Sequence, residues 1–319
     1  MPLVSVVFSF RNEEENIPPL LERLGAMFAP LPVDYELIFV NDASTDASLR
    51  ILTAAHAANP RVKVVTLARR FGVAEGVRAG MAAARGDAVV YMDADLQDPP
   101  EVIPQLIDAW QKGADVVHTV RTRRRGESAM KMALTALAYR IIRAGSSIQL
   151  PVDAGDFKLL SRRAVSHVLA LNESDPYMRG LVTWIGFTQV LIPYERAARH
   201  GGTTHFPFFS RNPWKTFALG LTSFSFMPIY ACLAMAAGGL IVAAITIAAG
   251  VVMWLSTSAN TDAVLFLGLI TFFWATTIAA IGAVGVYVIR IYKDTRGRPQ
   301  YIVRETIGLE SEMTEKRLP

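Results

Sequence analysis

Ala88-Val89-Val90-Tyr91-Met92-Asp93-Ala94-Asp95-Leu96-Gln97-Asp98-Pro99-Pro100 is the stretch on which the reading of this chain turns. Its first five residues form a short apolar run with the length of a buried strand. An oxygen-rich cluster begins where that run stops. Two carboxylates two residues apart repel each other unless a cation sits beside them. Mg²⁺ and Mn²⁺ prefer oxygen ligands and commonly bridge a carboxylate to substrate phosphates. Taken alone, the Asp93-x-Asp95 pair also fits a strand that ends in a solvated acidic turn, so the surrounding chain has to decide.

Upstream, strand-like runs occur at Leu3–Ser9, Tyr35–Val40 and Val62–Leu67, separated by helical stretches at Ile17–Phe28, Ala47–Ala57 and Ala74–Arg85. The strands are continuous and β-branched, which implies burial on both faces. A βαβα alternation of this kind predicts an α/β fold, a mostly parallel sheet with helices on both sides. Ligands of such sheets bind beyond the carboxyl ends of the strands. Polar residues gather at those ends: Arg11-Asn12-Glu13 after the first strand, Asn41-Asp42-Ala43-Ser44 after the second, Asp93 and Asp95 after the fourth. Singly, each has a local explanation: Glu13 a helix start, Asp42 or Ser44 an N-cap, Asp98 a turn before proline. Together on one rim they predict a site for a nucleotide and a divalent metal. Gly72, Gly76 and Gly80 do not form G-x-G-x-x-G, and there is no P-loop, so a dehydrogenase or an NTPase is poorly supported.

The remainder of the chain is unusually apolar. Of 319 residues 52% are hydrophobic, and the mean hydropathy is +0.30. The excess lies in two charge-free runs, Ile229 to Leu255 and Ala263 to Ile289, each longer than the ~20 residues that cross a bilayer. Arg211 and Lys215 precede the first run; Arg290, Lys293, Arg296 and Arg298 follow the second; the link between them has neither Lys nor Arg. The positive-inside rule then puts both flanks, and the N-terminal domain, in the cytoplasm. The expected organisation is a catalytic domain over 1–210, a juxtamembrane segment at 211–228, two transmembrane helices in 229–290 and a cytoplasmic tail at 291–319. Ser128 to Arg143 has apolar residues on one helical face with Lys131, Arg140 and Arg143 beside them. It reads either as an interfacial helix or as an amphipathic helix packed on the domain. The net charge is +4, and the basic residues lie largely in Arg121–Arg125, Lys131–Arg143, Arg196–Arg211 and Arg290–Arg304; the last two groups flank the apolar runs, which favours lipid headgroups over nucleic acid. Cys232, the single cysteine, permits no internal disulfide. No N-terminal signal peptide is expected, since a strand begins by Leu3.

Five stretches then carry a resemblance: Ser5 to Asn16, Phe39 to Asp46, Met92 to Pro100, Gly155-Asp156-Phe157-Lys158-Leu159-Leu160, and the tail from Arg290-Ile291-Tyr292 to Tyr301-Ile302-Val303-Arg304-Glu305. In these the chain resembles a family 2 glycosyltransferase of the GT-A fold, and more narrowly the bacterial polyprenyl-phosphate glycosyltransferases of the GtrB and dolichol-phosphate mannose synthase group. The resemblance implies an inverting transfer of a sugar, UDP-glucose being the first choice of donor, to a polyprenyl (undecaprenyl) phosphate. It implies Mg²⁺ or Mn²⁺ as cofactor, a bacterial plasma-membrane location and a homotetramer. Ser9, Arg11, Glu13, Asp42 and Asp93 are implied to bind the nucleotide sugar, Asp95 and Gln97 the metal. Asp156 takes the catalytic position, and Arg121 and Lys131 face phosphates. Arg199 and His205, just before the first span, suit the acceptor phosphate or, equally, lipid headgroups. The chain departs from the family pattern at Arg11, where a tyrosine is usual, at Asn41 and Ala43, and at Gly202-Thr203-Thr204-His205-Phe206, where a lysine is usual. A processive polysaccharide synthase shares the donor fold but needs more spans and a Gln-x-x-Arg-Trp motif. A non-catalytic membrane scaffold is the remaining alternative, opposed by Asp93, Asp95 and Asp156.

Overall fold

A computed structural model describes residues 1–123, 154–196, 223, 225–256 and 262–309. The 128–143 segment, Lys131, Arg199 and His205 therefore lie outside the described residues. The first half alternates strand and helix as expected: β1 (Leu3–Phe10), α1 (Ile17–Phe28), β2 (Asp34–Asn41), α2 (Ser48–Ala58), β3 (Val62–Leu67), α3 (Val73–Ala83), β4 (Ala88–Asp93) and α4 (Ile103–Gln111). There follow β5 (Val116–Arg123), β6 (Ala154–Ser161), α5 (Arg162–Ala170), α6 (Met178–Trp184), β7 (Gln189–Glu195), α7 (Met227–Ser256), α8 (Asp262–Thr295) and β8 (Val303–Ile307).

The strands form one eight-stranded sheet in the order β7-β5-β6-β4-β1-β2-β3-β8. Its centre is parallel, with β1 paired to both β2 and β4, and β2 to β3. β6 enters antiparallel between β4 and β5. The carboxyl ends of β1, β2, β4, β5 and β7 thus share one edge with the amino end of β6. Apolar side chains of both sheet faces are buried: Phe8, Phe39 and Val90 pack under α1, α2 and α4, and Val7, Val40 and Val89 under α3, α5 and α6. Continuous hydrophobic strands are what a sheet covered on both sides requires.

Helix α3 lies unusually close to the sheet. A Cβ at Gly76 would sit 2.1 Å from the Ser9 hydroxyl oxygen, and one at Gly80 would sit 2.2 Å from a Val7 methyl. These two glycines, one turn apart, explain the spacing that fits no nucleotide fingerprint: they are a packing face. Arg78, buried on the same helix, donates to the carbonyls of Val168, Leu169 and Leu171 at 2.8–3.0 Å and so closes the end of α5.

α7 and α8 are long and apolar enough to cross a membrane, over Met227–Thr246 and Gly268–Thr295. Their apolar side chains are exposed, Leu240 at 66%, Phe266 at 65% and Trp274 at 71%. A soluble fold rarely leaves an apolar surface of that extent in water, so these are not core helices. α8 runs past the expected boundary at 290 to Thr295, and the tail beyond it adds β8 antiparallel to β3. Gly80→Val should destabilise the full-length protein by about 1–3 kcal/mol through overpacking against Val7. A thermal midpoint in detergent equal to that of the parent would show that α3 can move away from the sheet.

Candidate active site

The shared edge is built first by its loops. Asn12, Ala43 and Leu96 have φ of 57°, 56° and 60°, all left-handed and all just past the ends of β1, β2 and β4. Such conformations cost about 1–3 kcal/mol each and persist where surrounding bonds enforce them. For Asn12 and Ala43 those bonds run from loop to loop. Asn12 Oδ1 accepts the Thr45 N–H at 2.8 Å, the Asn12 N–H donates to Ser44 Oγ at 3.0 Å, and Asn41 Oδ1 accepts the Ser44 N–H at 2.8 Å. The Glu13 N–H donates to Ser48 Oγ at 3.0 Å, and Glu13 Oε2 accepts from Asn16 Nδ2 at 2.6 Å. Asp42 accepts the N–H groups of Phe71 and Gly72 at 2.7 and 3.1 Å, tying the β3–α3 loop to the rim.

Ser9, Asp93 and Asp156 lie on the α3-facing side of the sheet. Ser9 is the register partner of Asp93. Tyr91 is the register partner of Lys158 in the antiparallel β4–β6 pair. Two residues forward along β4 and two back along β6, Asp93 comes alongside Asp156. Asp95 is 8% exposed and accepts the Gln97 N–H at 3.1 Å. Asp98, wholly buried, accepts from the Tyr194 hydroxyl and from Arg196 Nε at 3.1 Å, while its second oxygen has no partner among the described residues. Arg196 also reaches Asp93 at 3.7 Å. Arg121 Nε donates to the Tyr194 hydroxyl at 3.3 Å. Burial, then the charges of Asp98, Asp95 and Asp156, push the Asp93 carboxyl up to about 7, with Arg196 offsetting only part.

A surplus of negative charge with an unpartnered buried carboxylate oxygen suits a divalent cation. Among the described residues no group of three acidic, histidine or cysteine side chains encloses a metal by itself. The residues therefore fit the Mg²⁺ or Mn²⁺ pattern in which one or two carboxylates hold the ion and substrate phosphates complete its shell.

Asp156 is held by a fork. Arg179 of α6 donates from Nε to Oδ1 at 2.8 Å and from Nη2 to Oδ2 at 2.5 Å. Burial works to raise this carboxyl, but the charge and hydrogen bonds of Arg179, with Lys158 and Arg121 behind it, hold it well below the usual carboxylate range. One row deeper, Tyr91, Lys158 and His118 are cross-strand neighbours on β4, β6 and β5. The Tyr91 hydroxyl, Lys158 Nζ and His118 Nδ1 are buried with no hydrogen-bond partner among the described residues. Burial pulls the Lys158 ammonium down to about 7, opposed by Asp156 and reinforced by Arg179 and Arg121. His118 falls to about 4, by burial and then by the nearby Lys158.

Of the residues singled out in the sequence, Ser9, Arg11, Glu13, Asp42, Asp93, Asp95, Gln97, Arg121 and Asp156 are on or beside this edge. Sequence reasoning missed Arg179, Arg196, Tyr194 and Lys158 and took Asp98 for a turn. None of the first three belongs to a local motif. Lys158 had a signal: a lysine inside the otherwise apolar run Phe157 to Leu160.

The family described as "Glycosyl transferase family 2" matches residues 5–169. The chain belongs to it. This glycosyltransferase is 36% identical over 316 residues to the uncharacterized glycosyltransferase YkcC of Bacillus subtilis (strain 168), covering 96% of this chain and 95% of that one. It is 34% identical over 310 residues to the SfII prophage-derived bactoprenol glucosyl transferase of Shigella flexneri, covering 95% and 98% of the two chains. A solved structure of glucosyl-3-phosphoglycerate synthase from Mycobacterium tuberculosis with Mn²⁺, UDP and glucosyl-3-phosphoglycerate superposes at TM-score 0.45. It is 22% identical and covers 63% of this chain and 73% of that one.

Two outcomes follow for this transferase. Arg179→Met should lower sugar transfer about 100-fold, the cost of a group of the site displaced by about 1 Å, because Asp156 loses the fork that holds it; unchanged steady-state turnover would remove Arg179 from the site. Lys158→Met should raise thermal stability while lowering turnover, because an unpartnered buried charge is exchanged for an apolar chain of similar length. The sign with pH is fixed. Below pH ~7 the native protein bears the full penalty of the charged ammonium. As the pH rises from ~7 toward ~10.4 the native lysine sheds its proton before the unfolded one, so the penalty fades. The stabilisation by Lys158→Met should thus be greatest below pH ~7 and shrink toward pH ~10, read from thermal midpoints across that range.

Proposed function

We propose that this transferase moves a hexose from a nucleoside-diphosphate sugar, UDP-glucose first among them, to a polyprenyl phosphate at the cytoplasmic face of a bacterial membrane. The observation that carries the reading is the edge where Asp93, Asp95, Asp98 and Asp156 interleave with Arg121, Arg179 and Arg196. Interleaved charge of both signs suits a donor diphosphate with its metal next to an acceptor phosphate. Two helices long and apolar enough to cross a membrane, with cationic flanks, support a lipid acceptor. So does near full-length similarity to enzymes named bactoprenol glucosyl transferase.

Asp95, with Gln97 and Asp93 beside it, would hold Mg²⁺ or Mn²⁺. When bound, the ion neutralises charge that gathers on the departing diphosphate. The rest of the chemistry falls to the chain. Glu13 and Asp42 flank the pocket for base and ribose on the stitched β1 and β2 loops. Arg121 faces the acceptor phosphate, and Lys131, Arg199 and His205 would join it there. A phosphate monoester has its second pKa near ~6 and attacks as an anion, so no proton need be removed. Asp156 is suited to a different task. Locked ionised by Arg179, it orients the acceptor and stabilises positive charge at the anomeric carbon. A single displacement inverts that centre.

The test is transfer of radiolabelled sugar from UDP-glucose into a lipid fraction containing undecaprenyl phosphate, with Mg²⁺ or Mn²⁺ supplied. Asp95→Ala and chelation by EDTA should each abolish transfer, and metal should restore only the parent protein. Asp156→Asn should cut turnover about 100-fold, the scale of a lost electrostatic contact to the transition state, while calorimetry finds UDP binding unaltered. Loss of UDP affinity equal to the loss of rate would move Asp156 to the donor pocket. If no nucleotide sugar is used under any of these conditions, the reading fails.

A further inference from the structure

In the loop between α5 and α6, Glu173, Ser174 and Asp175 each meet the end of α8. Arg290 Nη2 lies 3.1 Å from Glu173 Oε2. Lys293 Nζ lies 2.5 Å from Asp175 Oδ2. The Ser174 N–H donates to Asp294 Oδ1 at 2.8 Å. Positions 290, 293 and 294 share one helical face. Just beyond the helix, Gln300 Nε2 donates to the Glu173 carbonyl at 2.5 Å. Signs are complementary at each bond: α8 offers cations to the two loop carboxylates and a carboxylate to the loop N–H, while burial and then the Asp294 charge push the Glu173 carboxyl up against the pull of Arg290. The Arg290 and Glu173 side chains are 18% and 30% exposed, so their attraction is less screened than that of a surface pair.

Both ends of this loop are tied. At its start, Arg78 grips the carbonyls of Val168, Leu169 and Leu171. At its finish the chain turns at Tyr177 directly into α6, whose second residue is Arg179. Arg179 in turn holds both oxygens of Asp156. Asp175, bonded to α8, thus stands only one helical turn's length of chain before the guanidinium that fixes Asp156. The far side of α8 is tied as well: the Ala68 N–H donates to the Ile302 carbonyl at 2.9 Å, and β8 follows along β3. A displacement of the α8 end has a short path to α6.

We infer that Glu173, Ser174 and Asp175 are positioning residues: through α6 and Arg179 they make the placement of Asp156 depend on the docked end of α8. The inference rests on the proposed transfer to lipid only for its kinetic readout. In physical terms, the helix that brings the chain back out of the bilayer also sets the catalytic carboxylate, so the site is assembled when the anchor is seated.

The experiment uses the full chain in detergent and in liposomes. The first variants are Asp175→Lys, Lys293→Asp and the two combined, which leave Arg290, Arg296 and Arg298 to mark the cationic flank. Each single change should lower turnover at saturating UDP-glucose by about three- to fivefold, the rate equivalent of a pair of this exposure. The KM for UDP-glucose and the calorimetric Kd for UDP should stay within about twofold. Amides of residues 178–184 should exchange with deuterium faster, with those of β1 and α3 unchanged. The combined variant should recover turnover and slow exchange. Glu173→Gln with Asp175→Asn, which keeps shape and removes charge, is the second variant should a reversal fail to fold, and about a tenfold loss is expected. Unchanged exchange in α6 after either disruption overturns the inference, as does a combined variant no better than its singles. Should the parent protein transfer no sugar, the proposed function fails while the exchange measurement still decides whether α8 and α6 are coupled.

Discussion

Asp93 and Asp156 stand on adjacent antiparallel strands with their carboxylates on one face of the sheet, and much of the rim answers the repulsion between them. Each is matched by its own cation, Arg196 for the first and Arg179 for the second. The two outcomes differ. Arg179 approaches in a fork and leaves Asp156 firmly ionised, whereas Arg196 stands farther from Asp93 and is shared with Asp98, so Asp93 titrates near neutrality. Two neighbouring carboxylates with divergent proton affinities are a recurrent mark of sites where charge develops and moves. The deficit of positive charge around Asp93 suits a divalent cation.

The antiparallel entry of β6 makes this arrangement. A parallel strand in the same place would have delivered its carboxyl end to the rim and carried Asp156 to the opposite edge. The entry also produces the buried row beneath. Tyr91, Lys158 and His118 fall into register behind the carboxylates, with polar atoms that find no hydrogen-bond partner among the described residues. That is an energetic burden a fold selected for stability alone would shed. Lys158 supplies a charge under Asp156 at the cost of desolvation.

The apolar part of the chain is joined to the polar part rather than appended to it. α8 ends in contact with the α5–α6 loop, and the tail returns as β8 on the sheet edge next to β3. The segment that follows the spans, which sequence pattern describes only as a cationic tail, is thereby part of the same sheet as the site. Its apolar residues Tyr301 and Val303 pack on the core that also holds Met178 and Val182 of α6.

Local pattern was sufficient for much of this protein. Continuous apolar β-branched runs determine β1 to β4, because only strands buried on both faces tolerate them. Charge-free stretches beyond ~20 residues determine α7 and α8. Carboxylates placed just after strands determine the rim, since parallel strands end on one side. The residues 5–169 of the family match carry most of these signals. Tertiary structure decided which charges meet. Arg179 lies 23 positions from Asp156, and Arg196 lies 98 from Asp98. No periodicity in the chain registers such distances. Asp98 shows the reason most plainly: its sequence, an aspartate before prolines, is that of a solvated turn, yet burial against Tyr194 and Arg196 makes it a hydrogen-bond acceptor in the interior. Spacing along a chain dictates which face a side chain takes; what lies opposite that face is set by strands and helices that arrive later, and their Coulomb and desolvation energies exist only once they do.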